Sequence, residues 1–430
     1  MVGLAFLRSI EVEQAHPHLA ECHDWLKEQG VTSHLIYSDG DVSARLFGGE
    51  TTRLPEAGAL VDFASAFERT VPSGGVGVSI SIPDENVVRD AVLGSSHTTG
   101  GRAVLVPSVS VALTLSSKWE TKHALTQHGI PTPRGFYIDG DLLAGRASVQ
   151  MEYAPALNAL ARDLTFPVLV KPVWDCLGNG MVQFDDREAF NEWLASGGMN
   201  VNCVVEEVVD GELCSVEVIS DGESVLMQPI VWKGPTISSG TFAFEQVRWS
   251  HASVDIERID LGLATRVREM CRRDRLRGAY EFEFIATHSG FTCIEVNPRV
   301  SGSTAMSICA SGVNTYIELC KIALDNWWPL DTRESECHTA FQFPLAGQAP
   351  SAEDFAGSPA EVLRVSNFTV DVQSYPSALV RVDDDQFSAF LAWCRYEGSK
   401  LVSQGTCDRL ENAHATRMAH VSIEAASLSR

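Results

Sequence analysis

The segment 278–303, GAYEFEFIATHSGFTCIEVNPRVSGS, constrains this chain more than any other stretch. Two alternating runs flank His288-Ser289-Gly290, so the segment reads as a β-hairpin. Side chains two apart share a face of a strand. Glu281 and Glu283 therefore lie on one face of the first strand, with Phe282 and Phe284 on the other; Glu295 and Asn297 share a face of the second. In the simplest register Glu283, Glu295 and Asn297 converge, and Arg299 follows just past the strand end. Facing carboxylates repel. A hard divalent cation removes that penalty, because Mg²⁺ takes one or two carboxylates and lets substrate phosphates complete its shell. A lone E-x-E is most simply a solvated face. E-x-E joined to E-x-N-x-R across a turn points to a metal site.

Upstream, the chain alternates strand and helix. VGLAFL reads as a buried strand, residues 18–29 as a helix ended by Gly30, and SHLIYS as a second strand. GVGVSIS, PDENVVRDAVLG and RAVLVPS repeat the pattern, which predicts a doubly wound parallel sheet. SGGVGV lacks the third glycine of a dinucleotide site. Ser117-Lys118-Trp119-Glu120 is a capping box opening a helix that ends at Gly129, before Ile-Pro-Thr-Pro. FPVLVKPV is an apolar run interrupted by Lys171, and a lysine inside a buried strand needs a partner. Gly178-Asn179-Gly180 follows as a turn.

Residues 256–273 are predicted to form one amphipathic helix with Ile256, Ile259, Leu263, Val267 and Met270 on its apolar face. GPTISSGTF, after Lys233, is a Gly/Ser-rich loop; that lysine faces either a substrate or solvent. Beyond Trp328 short strands (TAFQFPL, VLRVSNFTV, ALVRV) and a helix at 385–396 predict a small α+β lobe. The expected fold class is α/β, with domains at 1–115, 116–328 and 329–430.

The hairpin motif I-E-V-N-P-R, preceded by E-F and a short turn, resembles the metal-binding signature of the ATP-grasp superfamily of carboxylate–amine and carboxylate–thiol ligases. The resemblance extends to Lys118, Lys122, Leu125 and GIPTP, to Lys171 with its glycine turn, and to CVVEEVVDGELCSVEVISDGES. It implies an α+β ATP-grasp core, with Glu283, Glu295 and Asn297 on Mg²⁺ (or Mn²⁺) and Arg299 at the transferred phosphoryl group. Lys118 and Lys171 would face the phosphates of ATP, beneath a flap containing Gly178 and Gly180. Glu206, Glu207 and the backbone of Val208 and Val209 would face adenine. The ribose glutamate of the family falls on Leu213, so Glu212 is the candidate substitute or the ribose is held without it. The implied activity is ADP-forming ligation of a carboxylate, through an acyl-phosphate, to an amine, with amino acids as substrates and natural-product biosynthesis as a setting. A carrier-protein thiol as acceptor, a carboxylase, and a nucleotide-binding protein without turnover are the alternatives.

Composition limits the partners. Lys+Arg 33 against Asp+Glu 56 gives −23, which argues against nucleic acid or an anionic membrane as the main partner. The eleven cysteines form no C-x-x-C and read as reduced thiols of a cytoplasmic protein. The N-terminus does not read as a signal peptide, and no apolar run approaches the roughly 18 residues of a span. The histidines lack H-E-x-x-H, and G-x-S-x-G is absent. Expected partners are small-molecule carboxylate and amine substrates, with a homodimer left open.

Overall fold

The computed structural model describes residues 3–10, 12–39, 47–55, 59–95, 102–148, 152–174, 180–236, 246–329, 338–347, 350–370 and 373–427. Strands β1 (Gly3–Arg8), β2 (Thr32–Tyr37), β3 (Glu50–Arg53), β4 (Val76–Ser79) and β5 (Ala103–Leu105) form a parallel sheet of order β3-β2-β1-β4-β5. Helices α1 (His16–Glu28), α2 (Leu60–Thr70) and α3 (Asp84–Ser95) lie between its strands in the chain. All of β1 is buried, as a central strand covered on both faces must be. Leu4 and Phe6 pack with Leu19, Cys22 and Leu26 of α1, while Ala5 and Leu7 pack with Phe63, Ala66 and Phe67 of α2. The sequence pattern did not reveal β3 or α2.

Helices α4 (Val109–Ser116) and α5 (Lys118–Gln127) lead to a second sheet. Its strands β6 (Gly135–Ile138), β7 (Val168–Pro172), β8 (Val182–Phe184) and β9 (Cys203–Glu207) run antiparallel in the order β6-β9-β7-β8. Helix α6 (Arg187–Ala195) closes its core with Phe190, against Phe136, Val168, Val170 and Val205. Ser117 caps α5 by accepting the Glu120 N–H at 3.4 Å, and Gly129 takes the left-handed conformation (φ 67°) that ends the helix.

The third sheet is antiparallel and carries the hairpin. Its strands are β10 (Glu212–Asp221), β11 (Val225–Met227), β12 (Val231–Pro235), β13 (Arg248–His251), β14 (Arg277–Thr287), β15 (Gly290–Asn297), β16 (His338–Pro344), β17 (Glu361–Val370) and β18 (Gln373–Asp383). The order is β15-β14-β10-β12-β13-β16-β18-β17, with β11 beside β10. The single helix expected over 256–273 is broken. A short turn, Ile256–Ile259, precedes α7 (Leu261–Arg273), because Asp260 leaves the helix and caps the Leu263 N–H at 2.9 Å.

Helices α8 (Thr304–Ser311) and α9 (Thr315–Ala323) follow the hairpin. Tyr316, Leu319 and Cys320 of α9 share a core with Leu19, Cys22 and Leu26 of α1 and with Ile219 and Ala279, so the parallel sheet is seated on the third sheet. Strands β16–β18 continue that sheet, and helices α10 (Phe387–Arg395) and α11 (Gln404–Ser427) add Phe390, Trp393 and Leu410 to the core that holds Phe282 and Phe284. The C-terminal strands and helices therefore complete the core around the hairpin.

Candidate active site

The hairpin closes in the register that brings the carboxylates together. Glu283 stands opposite Glu295 and Glu281 opposite Asn297, with a bulge after Glu283 that absorbs one residue of β15. Phe282 and Phe284 point into the core, so the four polar side chains share the opposite face. Strand β10 adds Ser215 beside Glu283 and Glu217 beside Glu281. Two cross-strand rows result, Ser215–Glu283–Glu295 and Glu217–Glu281–Asn297.

Such a face must be neutralised. Lys233, 7% exposed, donates to Glu281 Oε1 at 2.9 Å and Glu283 Oε1 at 3.0 Å. Burial opposes ionisation of Glu281, but Lys233 beside it, then Arg299 and Ser215, hold its carboxyl down at about 2. Glu295 is treated oppositely. Burial, together with Glu283 and Asp84, pushes it up to about 7 against the pull of Lys118 and Arg299. Glu295 accepts no side-chain hydrogen bond from the described residues, and it is the group most in need of a cation.

Arg299 reaches across to the first domain. Its Nε donates to Asp84 Oδ1 at 2.6 Å, its Nη2 to Asn297 Oδ1 at 3.1 Å and its Nη1 to the Val300 carbonyl at 3.4 Å. Burial disfavours its charge, yet Asp84 more than restores it. Asp84 was not legible as a site residue, because an aspartate opening a helix reads as a first-turn acid. Glu217 was missed for a similar reason, as one polar residue in an alternating strand. It is buried, and it accepts hydrogen bonds from the Thr304 and Thr315 hydroxyls at the starts of α8 and α9.

The second cluster joins β7, β9 and α5. Lys171, 9% exposed, donates to Glu206 Oε2 at 2.6 Å, and Lys122 lies 2.9 Å from Glu206 Oε1. Burial opposes both charges, but the contact raises Lys171 above its usual range and lowers Glu206. Both oxygens of Glu206 thus already hold an ammonium group. Lys122 also donates to the Pro133 carbonyl. Lys118 tethers its own N–H to the Val173 carbonyl at 3.1 Å, and its charge acts on Glu295.

At the end of β9, the Val208 N–H donates to the Pro167 carbonyl at 3.0 Å. The Val209 N–H meets no backbone carbonyl among the described residues. The Glu207 carboxylate instead accepts the Thr165 N–H at 2.8 Å, with Arg134 3.7 Å away. Gly180 adopts φ 70°, while Gly178 lies outside the described residues, as does residue 237 onward of the Gly/Ser-rich loop. The pairing of β10 with β14 runs unbroken from Glu212↔Ala286 to Asp221↔Arg277. Alternation then puts Leu213, not Glu212, on the face of Ser215 and Glu217; Glu212 is exposed on the face of Cys214. No shift of the strand brings Glu212 to the face of Ser215 and Glu217.

The profile of the ATP-grasp domain matches residues 115–303. The chain is 22% identical over 247 residues to carbamoyl-phosphate synthase of Methanobrevibacter smithii, covering 56% of this chain and 62% of that one. It is 26% identical over 233 residues to biotin carboxylase of Pseudomonas aeruginosa, covering 50% and 47%. It therefore spans less than two thirds of either relative's length. Among solved structures, the L-amino acid ligase of Bacillus licheniformis superposes with a TM-score of 0.65 at 19% identity, over 94% of this chain and 98% of that one.

ATP-grasp domains use ATP and Mg²⁺, and the donor set here fits the metal. No three His, Cys, Asp or Glu side chains group as a metal site among the described residues. What shares one face is two opposed carboxylates and an asparagine, the kind of small oxygen-donor set Mg²⁺ accepts when phosphates fill the remaining positions. Among the described residues no helix is long and apolar enough to cross a membrane.

Proposed function

We propose that this chain, whose residues 115–303 match the ATP-grasp domain, is an ATP- and Mg²⁺-dependent ligase of that superfamily, joining a carboxylate to an amine. The reading rests chiefly on the opposition of Glu283 and Glu295, flanked by Asn297 and Arg299. A protein that merely held nucleotide would gain nothing from two carboxylates facing each other across a hairpin. In this reading Glu283, Glu295 and Asn297 hold the metal. Lys118 and Lys171, with Gly178 and Gly180, face the phosphates, and the backbone after Glu206 and Glu207, at Val208 and Val209, faces adenine.

Bound Mg²⁺ and ATP would supply charge neutralisation and the phosphoryl group. The protein's own part is positioning. Arg299, already aligned by Asp84 and Asn297, presents a planar fork to the oxygens of the transferring group. The substrate carboxylate takes the γ-phosphoryl group, leaving ADP. The amine then attacks the carbonyl carbon, phosphate departs, and the amine loses a proton. Exclusion of water favours the amine, because acyl-phosphates hydrolyse.

The likeness to an L-amino acid ligase supports amino acids as both substrates. We assign nucleotide and metal binding to 116–328, with 1–115 and 329–430 flanking it, a cytoplasmic setting, and a homodimer as the assembly to test. The experiment is a screen of amino acids in pairs with Mg-ATP, reading phosphate release and amide mass. Release that requires both members of a pair supports the ligase. Release driven by bicarbonate alone would instead favour a carboxylase, and no release with any carboxylate would leave a nucleotide-binding protein.

A further inference from the structure

Glu281 is not among the residues placed on the metal, yet it is 3% exposed and sits at the centre of the row Glu217–Glu281–Asn297. Its two oxygens have separate partners. Oε1 accepts Lys233 Nζ at 2.9 Å, and Oε2 accepts Asn297 Nδ2 at 3.3 Å. An asparagine amide has a donor end and an acceptor end of nearly the same shape. A carboxylate can only accept, so the neighbour Glu281 dictates which end of Asn297 it meets. The NH₂ must turn to Glu281, and Oδ1 must turn away, where it accepts Arg299 Nη2 at 3.1 Å. That is the end a divalent cation requires, since an amide nitrogen is no ligand for Mg²⁺.

We propose that Glu281 is a positioning residue that fixes the amide of Asn297 with its oxygen toward the metal. The inference rests on the metal reading above and deepens it. Groups that orient a ligand in this way commonly matter almost as much as the ligand itself. Glu281→Gln keeps the shape but can present its own NH₂ to Asn297, which lets the amide turn over. The same change also takes a counter-charge from Lys233, and that loss must be separated from the orientation.

The separation comes from Asn297→Asp, whose two ends are alike and cannot be turned the wrong way. Mn²⁺ is titrated into each protein holding a non-hydrolysable ATP analogue, with free Mn²⁺ read by electron paramagnetic resonance. In the native background Glu281→Gln is expected to weaken Mn²⁺ binding about 10–100-fold, the usual cost of losing an orienting partner. In the Asn297→Asp background the same change is expected to cost less than about threefold, since no orientation is left to lose. An equal penalty in both backgrounds would overturn the proposal and assign the effect to Lys233 or to packing, and no penalty in the native background would overturn it too. If Glu281→Gln alone does not fold, Asn297→Asp with and without it still decides: a tenfold loss on adding it refutes the role. Failure of the unaltered protein to bind Mn²⁺ would sink the metal reading itself.

Discussion

Glu217 offers a test that needs no substrate. It is buried on β10 beside the hairpin, between Glu281 and the hydroxyls of Thr304 and Thr315. Burial, aided by Glu281, pushes its carboxyl from 4.5 up to about 7 in spite of the two hydroxyl donors. The folded-state value lies above the unfolded one. The stability carried by the protonated form is therefore whole below about pH 4.5 and is lost as the pH rises through about 7. At about 1.4 kcal/mol per tenfold, the loss is about 3 kcal/mol. For a chain of 430 residues, with an unfolding entropy of about 0.9 kcal/mol/K, that is about 3–4 °C in Tm. Glu217→Gln stays neutral at every pH and keeps the shape. The difference in Tm between the variant and the native protein, followed by scanning fluorimetry from pH 4.5 to 8, should move by that amount in the variant's favour. Every other titrating group cancels in the difference. A difference that stays flat across this range would refute the assignment of Glu217 as a buried acid near pH 7.

Glu295→Gln removes the carboxylate that faces Glu283 and should lower ADP formation by about 10²–10³-fold, the cost of losing an electrostatic clamp; its circular dichroism spectrum should be unchanged. Lys122→Met takes one of two ammonium groups from the buried Glu206 and should cost about 1–3 kcal/mol, read as a fall in Tm. Glu212→Ala should leave the KM for ATP within about twofold, since uniform ground-state binding is lost only where a group touches the ligand. A marked rise in KM would mean that Glu212 reaches the ribose despite lying on the face of Cys214.

Where a short-range pattern determined the structure, the sequence was readable. Alternation put Glu281 and Glu283 on one face of β14 and Glu295 and Asn297 on one face of β15, and the bulge between Glu283 and Phe284 is what turns those two faces to the same side of the hairpin. Ser117 and Gly129 punctuated α5 for equally local reasons. What escaped was whatever depended on partners far along the chain. Asp84 is 215 residues from Arg299, and nothing in PDENVV distinguishes it from an ordinary first-turn acid. Lys233 was legible as a lysine beside a loop, but its burial between Glu281 and Glu283 follows from the pairing of β10 with β12 and β14. The C-terminal strands looked like a lobe of their own because a sequence does not show that β16 will pair with β13. Glu212 shows the opposite limit: one position along a strand exchanged the faces, and the register of β10 with β14 allowed no shift to recover it.

The central claim is that a substrate carboxylate takes the γ-phosphoryl group before the amine attacks. It is tested most directly by supplying the carboxylate labelled with ¹⁸O, together with Mg-ATP and the amine, and weighing the released inorganic phosphate. Transfer through an acyl-phosphate moves one labelled oxygen from the carboxylate into that phosphate, with ADP as the nucleotide product. Label appearing in AMP, or phosphate that carries none while amide accumulates, would contradict the account.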